Sequence, residues 1–356
     1  MSDVTIFAPS PTLTVTVEDH PSGSEIHVHA GGQGVWQARM LLRLGVDVTM
    51  CCVLTGETGR VLRHLLEDEG ISVVAVEREG RGSAYLHDRR EGHRTEIAED
   101  DGEPIGRHEL DELYGATLKT GLRSGLVILS GPVGEEVLPA DTYRRLASDL
   151  REGGARVIVD LAGERLDAAL QGGVDVLKVS HEELKDDGRI EEASGRAILH
   201  AMRELHRTGA GTVIVTRASE PLLLLDAEGF LEVNAPQLEV TDTRGAGDSL
   251  TAGVAAGMAE GATPREAVTL GAAAGALNVT RHGLGTGDPD TIARLRDRVT
   301  VRALADELSA DAEQPVTGHV SPDGLAALAE PDAAADVERK RDADGDPDAH
   351  GEGSRP

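Results

Sequence analysis

A chain of 356 residues is long enough for one large α/β domain or two smaller ones, and with aromatics at only 2 % its core has to be built from Val, Leu, Ile and Ala. A formal net charge of −28 argues against nucleic acid or an anionic membrane as partner, because phosphates would be repelled, but not against a nucleotide held by local amides and a metal ion. No signal-peptide pattern opens the sequence and no apolar run reaches spanning length, so it reads as cytoplasmic.

In chain order, strand-like runs "VTIFAP", "DVTMCCVL", "GLVILSG", "RVIVDL", "VDVLKVS" and "TVIVT" alternate with amphipathic stretches at 34–44, 57–69, 140–152 and 191–208. Such alternation predicts a mainly parallel, doubly wound sheet with helices on both faces. Two segments break the rhythm: "EIHVHAG" (25–31) and "GSAYLHDRREGHRTEI" (82–97) alternate like half-exposed strands, the second around a hairpin-like "DRREGH" centre. Together with the residues from about 12 onward they predict a small β lid over the main sheet. His27 and His29 share one strand face, which suits either a metal or ordinary strand polarity. Cys51 and Cys52 are adjacent in one strand and point to opposite faces, which predicts buried free thiols rather than a disulfide framework. From about Asp306 the apolar pattern fails, so residues 1–305 read as the folded domain and 306–356 as an acidic, disordered tail.

The most informative stretch is "TDTRGAGDSLTAGVAAGMAEG" (241–261), a glycine-broken turn entering a small-residue helix with one carboxylate, Asp248, at the junction. Taken by itself, Asp248 reads as a helix cap. Gly245, Ala246 and Gly247 carry almost no side chain, however, so their amides at a helix start could receive a phosphate, and an acid beside that phosphate could take a proton from an attacking hydroxyl. The motif alone leaves both readings open.

In order, "HAGGQGVWQARMLLRLGVDVTMCCVLTGETG", "LSGPV", "VIVDLAGERLDAAL", "LKVSHEEL" and "DTRGAGDSLTAG" make the chain resemble the ribokinase-like (PfkB) carbohydrate kinases, nearest the 1-phosphofructokinase-type branch, over roughly residues 4–298. The resemblance implies ATP-dependent phosphoryl transfer to an alcohol of a sugar or sugar phosphate. Asp248 is then the general base, and the amides of Gly245, Ala246 and Gly247 form the anion hole. Glu183 organises water and Mg²⁺ near the nucleotide, and Ser180 and Thr216 belong to the nucleotide side. Asp242 and Thr243 shape the loop and in some members help hold a monovalent cation. Thr14, Gly31, Gly32, Gln33, Trp36 and Arg94 fall on the acceptor side. A homodimer through the lid strands is a further implication.

The acceptor motifs depart from the family. Thr14 stands for an Asp, Gln33 for the Lys and Trp36 for the Asn of "GGKGxN", and Ser83 for a lid Arg. Losing two cations favours a neutral sugar, polyol or nucleoside over fructose 1-phosphate, unless Arg89, Arg90 or Arg94 restores the charge. On the nucleotide side Ser180 replaces an Asn, and Ala218 and Pro221 replace glycines. A non-catalytic sugar- or nucleotide-binding relative therefore stays open as the second reading.

Overall fold

The computed structural model describes residues 3–304 except 93, 135, 282 and 283. The expected acidic tail lies outside the described residues. In chain order the elements are β1 (Asp3–Phe7), β2 (Thr12–His20), β3 (Gly23–Gly31), α1 (Gln33–Arg43), β4 (Asp47–Thr55), α2 (Gly56–Asp68), β5 (Ser72–Arg78), β6 (Ala84–Asp88) and β7 (Thr95–Asp100). There follow α3 (Arg107–Ser124), β8 (Leu126–Ser130), α4 (Asp141–Glu152), β9 (Arg156–Asp160), α5 (Gly163–Gly172), β10 (Val174–Ser180), α6 (His181–Asp186) and α7 (Gly195–Thr208). The described chain ends with β11 (Ala210–Arg217), β12 (Glu220–Asp226), β13 (Gly229–Asn234), α8 (Ala246–Ala259), α9 (Pro264–Asn278), α10 (Pro289–Arg296) and β14 (Thr300–Ala303).

The large sheet runs β14-β13-β12-β11-β10-β9-β8-β1-β4-β5. It is parallel from β11 through β5, and only the β12–β14 edge is antiparallel. Alternate strand residues feed two cores. Ile6, Met50 and Cys52 pack with α1, α2, α8, α9 and α10; Phe7, Cys51 and Leu129 pack with α3, α4, α5 and α7 on the other face. Both thiols are buried and unpaired. From β1 the chain first winds out to β4 and β5, then returns to build β8–β11 on the opposite side. That reversal leaves a crevice beyond the carboxyl ends of β1 and β8, the usual ligand position in an open α/β sheet.

A second sheet, ordered β3-β2-β6-β7, supplies the expected lid. Thr12, Thr14 and Thr16 are buried on one face of β2, alternating with half-buried Leu13, Val15 and Val17. On the opposite face of β3, Ile26 and Val28 are 66 % and 47 % exposed, too apolar for a surface meant to stay wet.

Candidate active site

Asp160 is the last residue of β9, and Lys178 faces it across the parallel pair with β10. Both are buried, and the Lys178 ammonium donates to Asp160 Oδ1 at 3.0 Å. The other carboxylate oxygen accepts from Thr251 Oγ1 at 2.9 Å and from Gln37 Nε2 at 3.3 Å. Ser130 Oγ in turn donates to Gln37 Oε1 at 2.5 Å. One buried polar network therefore joins β8, β9, β10, α1 and α8, with both oxygens of Asp160 engaged, as a buried charge requires. A methyl placed on Gly247 would lie 2.6 Å from Lys178 Nζ, so the ammonium sits directly against the first turn of α8.

That turn decides between the two readings of Asp248 as far as capping goes. The helix begins at Ala246 and its N-cap is Gly245, at φ 70° and with no side-chain cap. Gly245 holds the left-handed conformation that glycine adopts without a Cβ penalty. Asp248 is thus the third residue of the helix and not its N-cap. It is buried, and burial, together with the negative charges of Asp160 and Glu183, pushes its pKa up to about 8 against the opposing pull of Lys178. Burial acts to depress Lys178, yet Asp160, Glu183 and Asp248 hold that amine above its ordinary range. A carboxyl titrating near neutrality can take a proton from an alcohol, as a general base must.

The loop before α8 is pinned from behind. Thr241 and Asp242 amides donate to the Val279 carbonyl at 2.7 and 3.1 Å. Fully buried Asn278 donates to Arg244 O at 2.7 Å and accepts from Gly285 N at 3.0 Å, tying two loops together. Asn278, Lys178, Asp160, Gln37 and Thr251 all escaped the reading of the sequence. Ser180 and Glu183 form a capping box on α6: Ser180 N–H donates to Glu183 Oε2 at 2.6 Å and Glu183 N–H to Ser180 Oγ at 3.1 Å. Thr216 lies beside Ser180 in the β10–β11 register. Thr243 is exposed.

Two cavities meet at Trp36. The larger, 1090 Å³, is lined by Gly32, Gln33, Trp36, Gly131, Asp160 and Glu183 among others. Gln33 Oε1 accepts from Gly131 N at 2.9 Å, so that oxygen braces the cavity wall. The smaller, 420 Å³, lies under the lid and includes Trp36, His29, His87, Arg89, Arg94 and Asp242. Thr14 is buried on this lid face, and Gly31 leaves room for it: a Cβ there would lie 2.3 Å from Thr14 Oγ1. Ser83 is turned to Thr12 at 2.8 Å.

The three lid arginines separate. Arg90 lies in an exposed pair with Asp88, 2.5 Å apart. Arg89 and Arg94 line the cavity. The Arg94 guanidinium sits 4.9 Å over Tyr85 with Nη2 3.3 Å from His87 Nδ1, while its buried Nε has no hydrogen-bond partner. Burial and the neighbouring guanidiniums hold His87 near 4, and burial with Arg39 and Arg94 holds His29 near 4 despite Glu69, so both rings are neutral at physiological pH. His27 faces Glu18 and Glu25 at 3.9 and 3.7 Å, and no group of three or more His, Cys, Asp or Glu among the described residues is placed to hold a metal.

A lidded, doubly wound sheet with a buried acid at a glycine-lined helix start defines a small-molecule kinase of the ribokinase-like fold. The chain belongs to the pfkB family of carbohydrate kinases, whose signature matches residues 3–291. It is accordingly an ATP-dependent sugar kinase. It is 30 % identical over 286 residues to 1-phosphofructokinase of Bacillus subtilis, covering 78 % of this chain and 92 % of that one. To ATP-dependent 6-phosphofructokinase isozyme 2 of Escherichia coli it is 29 % identical over 287 residues, again 78 % and 92 %. The structure of phosphofructokinase-2 from Escherichia coli in complex with potassium superposes with a TM-score of 0.73 at 26 % identity, over 84 % of this chain and 99 % of that one. No helix among the described residues is long and apolar enough to cross a membrane.

Proposed function

We propose that the chain acts in the cytoplasm, transferring the terminal phosphoryl group of ATP to a hydroxyl of a phosphorylated sugar, with Asp248 as general base. The acceptor hydroxyl loses its proton to Asp248 as its oxygen attacks phosphorus. The amides of Gly245, Ala246 and Gly247 receive the charge gathering on the transferred group, and Lys178 beneath them adds a fixed positive charge. Glu183, which lines the larger cavity and has one oxygen committed to Ser180, keeps its other oxygen for the hydrated Mg²⁺ of the nucleotide. Bound Mg²⁺ would neutralise phosphate charge during transfer. The fit is reasonable because Mg²⁺ keeps most of its waters and needs few protein ligands.

The observation that carries the acceptor assignment is the Arg94 side chain in the lining of the lid cavity. A guanidinium in the wall of a cavity fits an anionic oxygen. The relatives' names, each a sugar-phosphate kinase, support the same direction. Trp36 offers a stacking face that suits a neutral sugar equally, so the neutral acceptor is the second reading. A non-catalytic role is disfavoured by the buried Asp160–Lys178 pair set against the helix turn that carries Asp248. Measuring kcat/KM for fructose 1-phosphate, fructose 6-phosphate and a panel of neutral sugars, polyols and nucleosides separates the readings. A sugar phosphate is expected to win by a hundredfold or more, and a neutral acceptor winning would reject the assignment. The exposed Ile26 and Val28 face is the part of the lid suited to a second copy, and sedimentation of the Ile26→Lys variant against wild type tests that homodimer.

A further inference from the structure

In some members of the family the Asp of the "DT" pair helps hold a monovalent cation, and one relative's structure contains potassium. The residues of this chain fit such an ion poorly at that carboxylate. Asp242 Oδ1 already accepts the Arg244 N–H at 3.0 Å, and Oδ2 lies 3.5 Å from Arg89 Nη2. Both side chains of that pair are largely shielded, at 18 % and 22 % exposure, which keeps solvent screening low. Arg89 is anchored at its own backbone, where its N–H donates to the Val17 carbonyl of the lid at 2.8 Å, and its Nε also lies 4.0 Å from Glu18. Asp242 is anchored through its N–H to Val279 O.

We propose that the Arg89 guanidinium supplies, from within the chain, the positive charge at Asp242 that a monovalent cation supplies in some relatives. Arg89 is then a positioning residue. It neutralises the carboxylate three residues before Gly245 and ties the lid to the loop that forms the anion hole. Closing the lid and shaping the phosphoryl site become one event, because the lid carries the cation the loop needs. A diffusible ion at that place would leave the two independent. The inference rests on the reading of 245–248 as the phosphoryl-transfer centre.

The test compares wild type, Arg89→Ala and Arg89→Lys in potassium, sodium and choline chloride at equal ionic strength. Two readouts are taken: kcat and KM with the best acceptor, and, without turnover, the melting temperature and the fluorescence of Trp36, the sole tryptophan. Wild type is expected to keep kcat within twofold and its melting temperature and emission unchanged across the three salts. Arg89→Ala should lose tenfold or more in kcat with a smaller change in KM for ATP, and Arg89→Lys should recover most of it. A wild type activated fivefold or more by potassium, or stabilised by it specifically, would overturn the proposal, as would an Arg89→Ala variant with wild-type kcat. The melting and fluorescence arms read cation binding whether or not the chosen acceptor is right, so failure here is distinguishable from failure of the kinase assignment.

Discussion

The two ends of the site have been treated differently. At the phosphoryl end, Asp248, the glycine turn and Glu183 keep the residue types that the family uses. They sit on a buried network in which every oxygen of Asp160 has a donor. At the proposed acceptor end Thr14, Gln33, Trp36 and Ser83 all depart from the family pattern, while Arg94 from the β6–β7 hairpin lines the lid cavity and Arg89 beside it is paired with Asp242. The difference follows from what each end must do. Phosphoryl transfer needs fixed charges in a dry place, where one unpaired group is costly. Acceptor recognition needs only that some donor reach the substrate, and a lid can deliver it from more than one strand.

Breaking the phosphoryl end should have the larger effect. Lys178→Met removes the ammonium between Asp160, Glu183 and Asp248 and leaves buried carboxylates without their counter-charge. Loss of one partner from such a pair costs about 3–5 kcal/mol, to be read from urea unfolding. A loss under about 1 kcal/mol would show that the network is not a unit. At the rewritten end, Arg94→Ala should leave folding intact and lower kcat/KM for a sugar phosphate by roughly ten- to a hundredfold, the worth of one hydrogen bond to a charged group. Its effect on a neutral acceptor should be within about threefold, and equal losses on both would sink the idea that Arg94 reads phosphate.

The smallest effect concerns the nucleotide side. Ala218 has φ 51°, a left-handed conformation that no other non-glycine among the described residues adopts. The turn between β11 and β12 thus keeps a glycine-like backbone after losing the glycine. Ala218→Gly relieves the Cβ contact at some entropic cost, and should stabilise the fold by about 0.5–1 kcal/mol in thermal or urea unfolding. Destabilisation of that size would mean the methyl is packing usefully.

How much of this could be read from the sequence follows from the kind of information each part needs. The apolar runs located β1, β4 and β8–β11, with "VDVLKVS" matching β10 residue for residue. Strands β5 and β12–β14 carry weaker signals: β5 pairs parallel with β4, β12 and β13 continue β11 as antiparallel neighbours across short turns, and only β14 pairs with a strand distant in the chain. Asp248 and its glycine turn were legible because the chemistry is local. Asp160 and Lys178 were not, although each is a charged residue near the carboxyl end of a mainly apolar strand; that was the available signal. Their pairing requires β9 and β10 to be adjacent, and Asn278 requires two loops to meet. Gln33 looked free to meet substrate, and only the fold shows its carbonyl held by Gly131.

The most direct measurement is the Asp248→Asn variant, assayed for turnover and for melting temperature across pH. The fold raises the Asp248 pKa from 3.8 to about 8. Below the unfolded value both states are protonated, and the Asp and Asn proteins should melt alike. As pH climbs from about 4 to 8 the unfolded chain ionises first, so wild type should lose stability relative to Asn. Over the same range kcat/KM of wild type should rise as the base deprotonates. The expected result at neutral pH is a variant that melts no lower than wild type and turns over about two to four orders of magnitude more slowly. An Asn variant with wild-type turnover on the best acceptor would contradict the account.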